Sequence, residues 1–172
     1  MRAVILLFSV CCLLAAQSPS RVTAIRCGRL IDGKSATPRA NTVVVIEGER
    51  IREVGSTVPA GSQVIDLSRS TVLPGLIDNH THILLNGDIT SADYDEQLLK
   101  ESIPYRAIRA TANVRTALSH GFTTMRDLET EGAMYADVDV KTAINRGVIP
   151  GPRMFVATRS FAPTGMYPLL GY

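Results

Sequence analysis

The residues best equipped for chemistry lie together at positions 78–82, where Asp78, His80 and His82 alternate with Asn79 and Thr81. Alternate side chains of an extended strand share a face. This spacing therefore puts the carboxylate and both imidazoles on one side, with Ile77, Asn79 and Thr81 on the other. Two imidazoles so placed can converge on one divalent ion, each nitrogen at about 2.0–2.1 Å from it. A carboxylate beside them can orient a metal-bound ring through its other nitrogen. His80 and His82 are thus candidate metal ligands and Asp78 a candidate orienting group. Taken alone, such a pair has a plainer reading: ordinary hydrogen bonds satisfy histidines in a strand equally well, and Asp78 could as well cap a turn.

A strand is needed to carry these side chains. Pro74-Gly75 breaks the chain just before the apolar run Leu76–Ile83, which reads as a strand with both histidines at its C-terminal end. Downstream, Tyr105–Ser119 reads as a helix, Phe122–Arg126 as a strand, Val138–Asn145 as a helix and Arg153–Thr158 as a third strand. Strands alternating with helices imply parallel βαβ units, with strands one to three side by side. In α/β barrels the active site is built at the C-terminal ends of the strands. A closed barrel takes about 250 residues, so residues 74–172 suffice for roughly three of its eight units and an incomplete barrel is expected. The apolar final stretch, residues 167–172, with no polar tail or capping helix, carries the same expectation.

Upstream, Val22–Leu30, Thr42–Ile46, Arg50–Val54 and Gln63–Leu67 are short β-type runs separated by turn residues, with Glu47-Gly48-Glu49 as a hairpin signal. They describe a small all-β unit with little that could do chemistry.

Leu73-Pro74-Gly75-Leu76-Ile77-Asp78-Asn79-His80-Thr81-His82 resembles the opening motif of the amidohydrolase superfamily, whose members hydrolyse C–N and related bonds in a metallo-dependent α/β barrel. The β-rich stretch ending in Gly33, the Val43–Val54 hairpin and Val64-Ile65-Asp66-Leu67 look like the family's N-terminal portion of a small β-sandwich. Gly121-Phe122-Thr123-Thr124-Met125-Arg126-Asp127 and Gly147-Val148-Ile149-Pro150-Gly151-Pro152-Arg153 are similar to the imidazolonepropionase-like and Xaa-Pro dipeptidase-type branch. The likeness runs over about residues 22 to 165. It implies one or two divalent ions, usually zinc, with the strand-one histidines on the more buried ion. It further implies a carboxylated lysine or glutamate on strand four, two histidines on strands five and six, and an aspartate on strand eight. Only His80 and His82 map onto this sequence, and no residue maps onto a catalytic acid or base. Many relatives carry a histidine after the Thr-Gly that follows strand three, where this chain has Thr164-Gly165-Met166-Tyr167; the departure weakens the dipeptidase assignment.

Three further residues have structural expectations. Asp127, ending the second strand, has two readings: facing the pocket or, the preferred one, a salt bridge with a neighbouring arginine. His120 at a helix C-terminus should meet terminal carbonyls and the helix dipole. Cys27 in a β run reads as a small core residue.

Composition narrows the setting. With 45% hydrophobic and 20% charged residues the chain is globular, and a net charge of +2 without charge blocks gives no electrostatic case for nucleic acid. Arg2 precedes an apolar run from Ala3 to Ala16, broken only by Ser9 and turning polar at Gln17. This reads as a cleaved secretory signal. Its fourteen residues would span about 21 Å as a helix, short of a hydrocarbon core of about 30 Å, so no stable membrane span is expected. Cys11 and Cys12 would leave with it, so there is no disulfide framework.

The expected organisation is α/β: a signal peptide at 1–20, part of a β-sandwich at 21–73, and an incomplete metallo-dependent (β/α)8 barrel carrying strands one to three at 74–172. The expected protein is exported, periplasmic or secreted. The expected function is hydrolysis of C–N bonds in amide, peptide-like or cyclic amide substrates, small molecules or short peptides, by a zinc-dependent amidohydrolase of which this chain is a truncated, inactive portion. A mononuclear deaminase-type amidohydrolase and a non-catalytic binding or structural fragment are the alternatives.

Overall fold

The structure is a computed structural model that describes residues 21–87, 91–161 and 163. The expected leader and the Thr164-Gly165-Met166-Tyr167 segment lie outside the described residues. The chain divides into two compact units that meet in sequence between Pro74 and Gly75.

The first unit is a four-stranded sheet of β1 (Val22–Leu30), β2 (Arg39–Glu47), β3 (Arg50–Gly55) and β4 (Gln63–Val72), in the order β3-β2-β1-β4. β1 pairs antiparallel with β2, β2 antiparallel with β3, and β4 parallel with β1. β2 begins ahead of the expected Thr42 and β4 runs past the expected Leu67. The reason is pairing: Arg29 and Leu30 of β1 face Ala40 and Arg39 on one side and Thr71 and Val72 on the other, which extends both partners. Between Cys27 and Arg29 the register with β4 shifts, because Leu67 and Thr71 are their partners. The bulged β4 backbone crowds Gly28, where a Cβ would fall on the Ser68 carbonyl oxygen. Both faces carry apolar clusters, Ala24, Val43 and Val45 in one and Cys27, Leu30 and Val44 in the other. Cys27 is buried, as expected of a core residue.

The second unit is built on a parallel sheet. β5 (Leu76–Thr81), β6 (Phe122–Asp127) and β7 (Arg153–Val156) lie side by side in chain order. The crossovers are α2 (Ile103–Ser119) and α3 (Ala136–Asn145). This is the parallel βαβ arrangement that the alternation of elements implies. α2 starts at Ile103 rather than Tyr105 because Ser102 caps it, its hydroxyl accepting from the Tyr105 N–H at 3.4 Å. Pro104 fits the first turn, where its missing N–H would have no helical acceptor.

Two strands end earlier than their apolar runs. β5 stops at Thr81 because the chain turns there: the Ile83 N–H goes to the Asp127 carboxylate at 3.1 Å, and the Leu85 N–H returns to the His82 carbonyl. β7 stops at Val156, beyond which the Thr158 N–H is taken by Asp137 at 3.0 Å. A further helix, α1 (Ser91–Leu99), was not expected from the sequence. Polar residues dominate it, and tertiary bonds hold it: the Gln97 side-chain amide accepts from the Asn86 N–H and donates to its carbonyl, both at 2.7 Å. The core gathers Ile83 and Leu84 after β5, Ala110 and Val114 of α2, Met125, Met154, Ala136 and Val140.

Gly75 explains half of the Pro-Gly signal before β5. A Cβ there would coincide with the Thr123 side chain, its own Cβ included, so no rotation of Thr123 clears the space. Gly75→Ala is therefore expected to destabilise the protein by about 1–3 kcal/mol, the usual cost of overpacking. The shift in urea midpoint measures it, and an unchanged midpoint would refute the close approach.

Candidate metal centre

β5 delivers Asp78 and His80, and His82 follows one residue beyond its end. The two imidazoles stand edge to face with centroids 5.4 Å apart and an interplanar angle of 69°. Both line a cleft of about 630 Å³, together with Asp78, Asn113, His120 and Met125. The structure thus brings the two sequence-selected histidines together on one cleft. Asp78 reaches the same cleft, but its carboxylate accepts from the His80 backbone N–H at 3.0 Å. That bond lies within β5 and holds the backbone at His80.

His82 is oriented from β6. Its Nδ1 lies 3.1 Å from the Glu129 carbonyl oxygen. A carbonyl only accepts, so the proton sits on Nδ1, and in the neutral ring Nε2 keeps its lone pair. Glu129 is itself held, because its N–H donates to Asp127 Oδ1 at 3.2 Å while Asp127 Oδ2 takes the Ile83 N–H. One fully buried carboxylate thereby ties the loop after β5 to the loop after β6. The expected salt bridge of Asp127 to an arginine is not formed: Arg126 instead donates through Nε to the Asn79 carbonyl at 2.8 Å. Burial pushes the Asp127 carboxyl up to about 7; the Ile83 N–H opposes this and the nearby Asp137 adds to it.

A second tie is Arg106 of α2, whose side chain is buried. Nε donates to the Leu84 carbonyl at 3.2 Å, Nη1 to that of Glu131 and Nη2 to that of Thr130, each at 2.9 Å. Sequence reasoning missed it, although a signal exists: Arg106 stands four residues apart in line with Ala110 and Val114 on the buried stripe of α2. An arginine on an apolar stripe must be answered by buried acceptors. His120 behaves as anticipated, with Nδ1 2.8 Å from the Thr116 carbonyl at the end of α2. Among the described residues no group of three or more His, Cys, Asp or Glu side chains could hold a metal ion.

Known proteins give this arrangement a context. Residues 71–166 match the Amidohydrolase family. The chain is similar to the imidazolonepropionase of Paenarthrobacter aurescens, 37% identical over 81 residues, which make up 46% of this chain and 20% of that one. Among solved structures it resembles a Xaa-Pro dipeptidase with bound methionine in the active site, at a TM-score of 0.73 and 32% identity, over 84% of this chain and 35% of that one. The ochratoxinase of A. niger is similar at a TM-score of 0.63 and 30% identity, over 81% of this chain and 31% of that one. The chain belongs to the amidohydrolase family. It spans about 20% of the length of the imidazolonepropionase it matches.

The raised Asp127 carboxyl has a consequence for stability. Its folded value of about 7 lies above the ordinary 3.8, so between these limits the folded chain holds a proton that the unfolded chain has released. Stability should fall as pH rises through that window. Asp127→Asn is expected to flatten the slope in urea unfolding with chelator present, leaving what Asp137, also raised by burial, contributes. An unchanged slope would contradict the assignment.

Proposed function

We propose that these residues are the N-terminal portion of a metal-dependent amidohydrolase that hydrolyses C–N bonds in amide, peptide-like or cyclic amide substrates, with His80 and His82 as the first two ligands of its divalent ion. Zinc is the ion that the resemblance to the family implies, and imidazole donors suit it. The observation that carries the reading is the paired placement of the two rings on one cleft at the C-terminal end of β5. The donor set fits a metal: His82 spends Nδ1 on a backbone carbonyl and keeps Nε2 for a ligand. The names of the relatives, an imidazolonepropionase and a Xaa-Pro dipeptidase, support substrates with C–N bonds.

When bound, a divalent ion would polarise the scissile carbonyl and acidify a water molecule. The described residues have a narrower task. His80 and His82 bind, Asp78 holds the His80 backbone, Asp127 and Arg106 fix the loops around His82, and buried Ile83, Leu84 and Leu85 keep water from the base of the site. Two imidazoles are half of a tetrahedral shell, so the remaining ligands come from outside the described residues. In the full-length enzyme, His80→Ala should remove zinc and lower kcat/KM by several orders of magnitude. Zinc stoichiometry by metal analysis and amide hydrolysis are the measurements, and a variant that keeps both would defeat the proposal. Residues 1–172 alone should bind zinc weakly and turn nothing over; robust zinc-dependent turnover by them would show that the site needs no further ligands.

The proposal includes export, supported by the Ala3–Ala16 apolar run after Arg2 and the small, polar residues that follow. Among the described residues no helix is long and apolar enough to cross a membrane. Mass determination of the protein recovered from periplasm or medium should find an N-terminus between Gln17 and Arg21. A product still beginning at Met1 would rule out cleavage.

A further inference from the structure

Behind His82, on the side away from its free nitrogen, lies a buried carboxylate that the site described so far does not use. Glu131 is largely buried, and its backbone sits in the left-handed region at φ 51° without being glycine. Such a conformation costs about 1 kcal/mol or more and persists only where surrounding contacts impose it. Those contacts are on either side of the residue: Arg106 holds the carbonyls of Thr130 and Glu131. The Tyr94 hydroxyl of α1 donates to Glu131 Oε2 at 2.5 Å. This leaves Oε1 facing the His82 ring, 3.8 Å from Nδ1.

We propose that Glu131 is a positioning residue for His82, its carboxylate biasing the imidazole proton to Nδ1 so that Nε2 is presented to the cleft. The Glu129 carbonyl is the hydrogen-bond acceptor, and Glu131 adds a negative charge in a water-poor setting where it acts strongly. Tyr94 holds the carboxylate at its station, which gives the otherwise unexplained helix α1 a role in the site. The inference rests on the reading of His82 as a ligand, but its primary test does not involve metal.

The test is the tautomer of His82 in the ¹⁵N-labelled full chain, read by long-range ¹H–¹⁵N correlation with chelator present at about pH 8.5, well above the ordinary imidazole value of about 6.5. The Nδ1–H form should dominate. Glu131→Gln keeps the shape, removes the charge, and should lower the ratio of Nδ1–H to Nε2–H about tenfold. An unchanged ratio in folded Glu131→Gln overturns the proposal. Should that variant fail to fold, Tyr94→Phe decides instead, since it frees the carboxylate without altering charge: a reduced ratio supports the role and an unchanged one overturns it. In the full-length enzyme, Glu131→Gln should also weaken zinc binding about 10–100-fold, as loss of an outer partner does. If the wild type binds no zinc, the ligand reading fails, while the tautomer result stands on its own.

Discussion

Everything at the candidate site depends on how the chain leaves β5 and β6. At both strand ends it turns into buried loops, where backbone groups have lost their ladder partners and are shielded from solvent. A buried N–H or carbonyl left unpaired costs about 1–3 kcal/mol, so side chains must stand in for the missing strands. Asp127 accepts the N–H groups of Ile83 and Glu129, Arg106 donates to three carbonyls on the two loops, and Asn113 donates to the Ile83 carbonyl at 3.0 Å. These bonds satisfy the backbone and, by the same geometry, fix the Glu129 carbonyl that orients His82. Removing one partner would leave the other buried and unanswered, so the site's precision and the stability of its loops are one property.

The cost of this solution is charge in the interior. Burial raises the Asp127 carboxyl toward neutrality, and the nearby Asp137 adds to the shift. Arg106 cannot shed its proton in the same way; its guanidinium is instead spread over several carbonyl dipoles, an arrangement suited to its planar fork. A lysine could not reach three acceptors on two loops from one position of α2. This is why the buried stripe of α2 carries an arginine among alanine and valine rather than a uniform apolar row.

Much of this was legible from sequence, for reasons that differ by element. β1, β3, β5 and β6 follow apolar or alternating runs bounded by turn residues, and α2 announces itself by Ser102, Pro104 and its apolar spacing. The proximity of His80 and His82 was legible because their separation by one residue needs only local chain geometry. What stayed hidden depends on distant partners. α1 has no apolar stripe and is held by Gln97 on Asn86, a bond no local pattern encodes. The roles of Asp127, Arg106 and Glu131 arise only when β5 and β6 lie side by side, so that residues more than forty apart, such as Ile83 and Asp127, meet.

The first unit shows the same logic without chemistry. Its sheet is apolar on both faces, so it is patterned for a layer on each side rather than for solvent on one. Gly28 lets β4 bulge against β1, and Leu30 beyond the bulge packs in the same cluster as Cys27. Without that extra length in β4, the pairing of Arg29 and Leu30 with Thr71 and Val72 would slip by two residues, and Val72 would lose its place beside Leu30 and Val44. In both units a single residue chosen for what it lacks or carries, a glycine without a side chain and an arginine with a fork of donors, settles the course of a neighbouring strand or loop that its own segment never touches in sequence.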